Sequence, residues 1–278
     1  MLEDHLTETQ FCGVPGNTII DAGATVRDTI AYAESRRISL WALSLDFKNA
    51  FDRIAHNYQF QTLQGYGIGN AFIAGIKRMF EGDTSSVQIN SHQYGPIPIR
   101  CAVRQGFPMS MALYALCLHP FLRLLDQKLP GIRIGRRTRP TWVVAYADDV
   151  TIFVTSAADF AIIEGATPLY ERASGACLNP RKSKALSVES WCTQKTVLEI
   201  AYHSHVTILG VAFWGSIKQT MKDSWARLTR KVRAQANHPC CLATRMRYVD
   251  TFLLSKIWYT AQTVPAPNLY TQLTTAIT

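Results

Sequence analysis

The chain has 278 residues, 47% hydrophobic and 18% charged, which excludes a disordered polymer and allows one large core or several lobes. No apolar run reaches membrane-span length, the start Met1-Leu2-Glu3-Asp4-His5 lacks secretory character, and seven cysteines without a C-x-x-C pair argue against a disulfide framework or structural zinc. A reduced, intracellular protein without a membrane partner is therefore expected, and its net charge of +9 points to a polyanion.

From the N-terminus, the Gly/Pro loop Gln10–Thr18 runs into a predicted helix over Ile19–Arg36. Thr18 suits its N-cap, Arg36-Arg37 suit its C-terminal end, and Ala22, Val26, Ile30 and Ala33 share one face. Ile38 to Phe47 reads as a strand buried on both sides, because Ser39–Leu45 is too apolar for a solvated face. It ends in Asp46, either a functional carboxylate or the N-cap of the following turn. Short helices follow near Asn57–Gln64 and Asn70–Phe80. A hairpin of Thr84–Asn90 and Pro96–Val103, joined through Ser91–Gly95, comes next.

Arg104–Ser110 is a polar loop opening a long helix to about Leu129, with a stripe of Leu113, Leu116, Phe121 and Leu124 and a kink at Pro120. Four arginines, at 133, 136, 137 and 139, precede Trp142-Val143-Val144 and Thr151–Val154, two strands flanking Ala145–Val150. Adjacent Asp148 and Asp149 at such a hairpin tip are either an exposed turn or half of a divalent-cation site. Then come a helix over Ala157–Ser174, the basic loop Gly175–Lys184 leading into a strand, and one strand over Val206–Phe213. The rest is amphipathic and helical, broken at His238-Pro239. Between Ser216 and Lys256 nine Lys or Arg face only Asp223 and Asp250. Taken singly, each is a solvated side chain; together they suggest nucleic acid.

In order and spacing, these motifs resemble the reverse transcriptases of LINE-type (non-LTR) retrotransposons, over roughly Gln10 to Trp214. Gln10…Gly16…Thr18 is similar to their fingers motif and Leu45-Asp46-Phe47…Ala50-Phe51-Asp52 to the first palm motif. Arg104-Gln105-Gly106…Pro108…Ser110 is similar to the template-side motif, and Tyr146-Ala147-Asp148-Asp149 to the second metal motif. Asn179-Pro180…Lys182-Ser183 and Ile208-Leu209-Gly210 are similar to the later palm motif and the primer grip. Phe107 and Met111 stand where relatives usually have Cys and Pro.

The resemblance implies an α+β right-hand fold: an antiparallel palm sheet backed by helices, with partial fingers and a helical thumb. Residues 1–40 would be partial fingers, 41–215 palm with a finger-like insertion at about 57–103, and 216–278 a basic thumb. It implies RNA-directed DNA polymerase activity on an RNA template, a DNA primer and dNTPs, with two Mg²⁺ ions and Mn²⁺ able to substitute. Asp46, Asp148, Asp149 and the carbonyl of Phe47 would hold the metals, and Lys182 would serve the leaving pyrophosphate. Phe51, Gln105 and Gly106 would meet the dNTP; Arg104, Tyr146, Leu209, Gly210, Arg230 and Lys231 would meet template and primer. Phe51 would exclude a ribose 2′-hydroxyl. The rivals are an RNA-dependent RNA polymerase and a decayed copy that only binds nucleic acid. Upstream fingers strands, an endonuclease and a C-terminal nucleic-acid-binding module are expected beyond this chain. A sheet edge and an apolar helix surface near Val26 and Ile30 are expected to be exposed without those strands.

Overall fold

The computed structural model describes residues 6, 9–103, 106–134, 139–189, 196–236 and 241–264. Strand β1 (Leu40–Leu45) sits centrally in a five-stranded sheet. The order is β4 (Val143–Tyr146), β5 (Asp149–Val154), β1, β6 (Lys184–Val188) and β7 (Ala201–His203). All pairs are antiparallel except β6–β7, which is parallel, so the sheet is mostly antiparallel, as expected.

Alternation along the strands divides the core into two layers. Trp41, Leu43, Leu45, Val143, Ala145, Val150, Ile152 and Val154 point to one side. There they meet α3 (His56–Gly65), α4 (Asn70–Phe80), α5 (Ser110–Asp126) and α6 (Ala157–Ser174). Leu40, Ala42, Val144, Phe153, Leu186 and Val188 point to the other side. That side carries α1 (Ile19–Arg36) and the hairpin of β8 (His205–Ile208) with β9 (Val211–Trp214). Burial on both faces is why β1 and β5 read as continuous apolar runs.

Both long helices that begin at a capping box start where expected. Thr18 with Asp21 and Ser156 with Asp159 exchange side-chain and main-chain hydrogen bonds across the first turns of α1 and α6. Helix α5 is buried on nearly every side rather than along a stripe, because α3 and α6 flank it and the sheet lies beneath. The predicted loop Ser91–Gly95 is instead a tight turn at Asn90-Ser91, both left-handed at φ 48° and 66°. It joins β2 (Thr84–Ile89) to β3 (His92–Pro98). The predicted single strand Val206–Phe213 folds back at Leu209-Gly210, left-handed at φ 48° and 78°, into β8 and β9. Its glycine makes that reversal cheap.

The expectation of an exposed edge and helix face is overturned. Residues 9–11 pair in parallel with the free side of β4: Phe11 N–H donates to the Ala145 carbonyl at 2.8 Å and Ala145 N–H to the Thr9 carbonyl at 2.9 Å. Val26 and Ile30 are 0% exposed, lying in the same core layer as β8–β9. Beyond β9 run α7 (Ile217–Ala236), α8 (Leu242–Tyr248), a π-helical turn Val249–Leu254 and α9 (Ser255–Thr263). The expected break at His238-Pro239 lies outside the described residues. Helix α9 crosses α1 at Gly23, where an added Cβ would sit 2.8 Å from Thr263 Cγ2. Among the described residues no helix is long and apolar enough to cross a membrane, and Cys12, Cys101, Cys117, Cys177 and Cys241 are free thiols.

If α1 is built into the core in this way, Ile30→Ala should cost about 3 kcal/mol of unfolding free energy. Phe72→Ala, at a side chain 46% exposed, should change it by no more than about 0.5 kcal/mol. Chemical denaturation of the two variants checks this.

Candidate active site

The last β1–β5 pair is Leu45 with Val150, so the next step of the register sets Asp46 against Asp149. Leu45 and Val150 point to the α5–α6 layer; alternation therefore sends Asp46 and Asp149 to the other side, with Tyr146, the partner of Asp149 in β4. Asp148 stands exposed at the tip. The tip is a two-residue turn whose first residue, Ala147, is held left-handed at φ 54° and nearly buried. This matches the turn geometry that twisted hairpins prefer, at a position usually given to glycine.

The main chain at Asp46 is fixed from the opposite side by the segment after α6. Asp46 N–H donates to Ser183 Oγ at 3.0 Å, and the Asp46 carbonyl accepts from Asn179 N–H at 2.8 Å. Lys48 N–H reaches the Cys177 carbonyl at 2.8 Å. Ser183 is 1% exposed, so its hydroxyl is a built-in anchor. Lys182 lies in the turn between these contacts, exposed and beside Asp46. The Phe47 ring leaves the site and packs edge-on against Phe121 and Tyr170.

Asp149 is exposed like Asp148, yet partial desolvation of its carboxyl first, then the negative charges of Asp148 and Asp46, push it up from its ordinary value. Among the described residues none of the three acids forms a salt bridge. Nor does any group of three His, Cys, Asp or Glu among them stand as a ready-made metal cage. Hard oxygens that repel one another, open on one side, fit a Mg²⁺ ion that takes one or two carboxylates and completes its shell from water and substrate phosphate. The fit rests on donor type and unbalanced charge.

Around the acids the structure gathers residues with no signal in the sequence. Cys12 is in hydrogen-bonding contact with Tyr146 and the Ala147 main chain, and burial raises its thiol. The Tyr259 hydroxyl, on α9, donates to the Leu209 carbonyl, and burial first, with the charge of Asp149 adding to it, raises its phenol. Gln59, fully buried, donates to the carbonyls of Ile54 and Ala102, both at 3.0 Å. It lays the segment before Gly106 along α2 (Ala50–Arg53), the short helix that carries Phe51. Gly106 is exposed and left-handed at φ 83°, whereas Arg104 and Gln105 lie outside the described residues.

Next to Gly210, a cleft of about 370 Å³ is lined by Arg227, Lys231 and Lys256 together with Tyr259. Arg230 faces elsewhere: it lines a separate groove on α7 with Lys218, Lys222 and Arg233. Neighbours in sequence, Arg230 and Lys231 are therefore not one patch.

Residues 1–213 match the family described as reverse transcriptase (RNA-dependent DNA polymerase). An uncharacterized 149 kDa protein of transposon TX1 from Xenopus laevis is 37% identical over 186 residues, 67% of this chain and 14% of that protein. The Pol polyprotein of the type-2 retrotransposable element R2DM from Drosophila melanogaster is 26% identical over 219 residues, 77% of this chain and 20% of that protein. The chain thus spans a fifth or less of the length of these two relatives. A telomerase structure from Candida tropicalis, solved with a fragment of telomeric RNA, superposes with a TM-score of 0.52 at 12% identity, covering 97% of this chain and 46% of that one. That likeness shows the right-hand α+β fold. With the motifs in place across the sheet and the family match running over most of its length, the chain belongs to the reverse transcriptase family, in its LINE-type, non-LTR branch.

Proposed function

We propose that this chain extends a DNA primer on an RNA template with dNTPs and serves retrotransposition. The observation that carries the reading is the unneutralised trio Asp46, Asp148 and Asp149, fixed by strand register at the end of a buried sheet. The reaction joins the primer 3′-oxygen to the α-phosphorus and releases pyrophosphate. Two Mg²⁺ ions, with Mn²⁺ able to substitute, would supply activation of the hydroxyl and charge neutralisation on the phosphates.

Asp46 and Asp148 are the proposed main ligands, with the Phe47 carbonyl as a further oxygen and Asp149 in support. Lys182, held beside Asp46 by the Asn179–Ser183 turn, would offset charge on the leaving pyrophosphate. Phe51 would lie under the sugar, and Gln105 and Gly106 would border the nucleotide, with Arg104 on the template side. Leu209 and Gly210 form a turn beside the cationic cleft and would carry the primer end next to Tyr146. Of the α7 cations, Lys231 and Arg227 line that cleft with Lys256, which supports a reading in which these three would grip the template–primer. The template RNA is taken as the element's own transcript, copied inside the cell, with other domains of a larger polyprotein as partners.

Asp46→Asn and Asp148→Asn should each lower primer extension on RNA with Mg²⁺ by about 10²–10³-fold or more, the scale for losing a preorganised charge stabiliser. Melting temperature should not fall, since each change also relieves repulsion at Asp149; substantial extension by either variant would remove the acids from the metal site.

Asp149 carries a linked pH effect. Its folded-state pKa is raised, so the folded chain holds the proton more tightly than the unfolded one, and stability is lost as pH rises through the folded value. Asp149→Asn should therefore melt higher than the parent in metal-free buffer at pH 7. That gain should vanish as pH falls to the ordinary carboxylate range near about 4. Melting curves across pH, where a gain independent of pH would contradict the assignment, measure this.

Binding to template–primer should depend on salt, with each phosphate contact adding roughly 0.9 to the log–log slope. Lys231→Gln should flatten the slope by about that much for every sequence alike, and Arg230→Gln, on the other side of α7, should leave it unchanged. Equal effects of the two would mean that the duplex reaches both faces.

A further inference from the structure

A side chain that discriminates by excluding a hydroxyl works only if it cannot retreat. Phe51 sits on α2, four residues long, whose N-cap Asn49 makes no side-chain hydrogen bond. So short a helix has no stability of its own. Its main chain is tied to the neighbouring segment where the Phe51 carbonyl accepts from Val103 N–H at 2.6 Å. The ring is held by something else. It stacks on Tyr114 with centroids 4.5 Å apart and planes inclined by 28°. Tyr114 is 1% exposed and belongs to α5, which the core encloses on nearly every side. Phe51 itself is only half-buried, so one part of it rests on an immobile surface while another remains open.

Tyr114 lies on the helix that opens from the Gly106 loop, and burial first, then the charge of Asp148, raises its phenol.

We propose that Tyr114 is a positioning residue for sugar selection, the backstop that holds Phe51 at the height where a ribose 2′-hydroxyl has no room. The proposal rests on the reading of Phe51 as the gate. The stacked ring, not the hydroxyl, does the holding, because the geometry that ties it to Phe51 is ring on ring. With a smaller, more flexible side chain at 114, the Phe51 ring sinks toward α5. Room then opens for the extra hydroxyl, and contact with a deoxyribose is loosened.

The test is the ratio of ribonucleotide to deoxyribonucleotide kcat/KM in primer extension. Binding of each nucleotide to a protein complex with a chain-terminated primer serves as a second readout that needs no turnover. Tyr114→Leu should raise the ratio by about three- to tenfold, the span that an aromatic pair's coupling gives at tenfold per 1.4 kcal/mol. The change should fall mainly on KM. Tyr114→Phe should keep the parent ratio. Poor folding lowers kcat on both nucleotides alike and leaves the ratio alone, so the ratio reports position rather than amount of active protein. Tyr114→Met, closer in volume, provides the same reading if the leucine variant is lost. Phe51→Ala is the reference. If it raises the ratio while neither Tyr114→Leu nor Tyr114→Met does, Tyr114 is packing only and the proposal falls. If Phe51→Ala leaves the ratio unchanged, the gate reading fails, and with it the proposal, since no gate is left to position.

Discussion

Carboxylates that repel one another do not gather unaided; the main chain beneath them must be fixed by forces that do not involve the charges. Here that constraint is the register of three strands. Leu45 against Val150 and Tyr146 against Asp149 are set by side chains buried on both faces of the sheet. A slip of one residue would send every one of them to the wrong layer. Asn179 and Ser183 then pin Asp46 from the remaining side. The raised Asp149 carboxyl is the cost left in the folded protein, one that a divalent cation bound there would offset. Stability and chemistry are therefore opposed at this one place, as sites of preorganised charge require.

The rest of the architecture serves that edge. Helices α5 and α6 fill one side of the sheet and support Phe47 and Phe51 from behind. Helix α1 and the β8–β9 hairpin fill the other and stop short of the strand ends. The acids are left facing a space bordered by Leu209, Gly210 and Tyr259. Positive charge on α7 and α9 lines the cleft beside the Leu209-Gly210 turn, where it raises the local potential for an anion.

Much of this was readable in the residues, for physical reasons that differ from place to place. Helices α1 and α6 declare both ends, because Thr18 and Ser156 cap them and the chain leaves them in the left-handed region at Arg37 and Gly175. The acids were visible because a carboxylate closing an apolar strand needs a reason to be there. The reversal at Leu209-Gly210 was missed, and the one at Asn90-Ser91 was placed in a longer loop, since a β-rich run hides a two-residue turn whenever the turn residues accept positive φ. Anchors that act across long sequence separations left no trace at all: Gln59 holding Ala102, Ser183 holding Asp46, Tyr259 on Leu209. Helical spacing likewise could not tell that Arg230 and Lys231 look into different spaces, for the neighbours that make those spaces come from elsewhere in the chain.

The segment around Gln10 that closes the side of β4 has a bearing on how the protein is made. Its partner Ala145 leaves the ribosome roughly 130 residues later, which at common translation speeds is about ten seconds or more. For that interval the segment has nothing to pair with, and the central strand β1 emerges before any of its neighbours in the sheet. Vectorial synthesis thus presents the sheet from the middle outward in space but from one margin in time. The parallel pairing that seals this edge must wait for the Asp-Asp hairpin, so closure of the edge and the arrival of the two adjacent acids become nearly the same event.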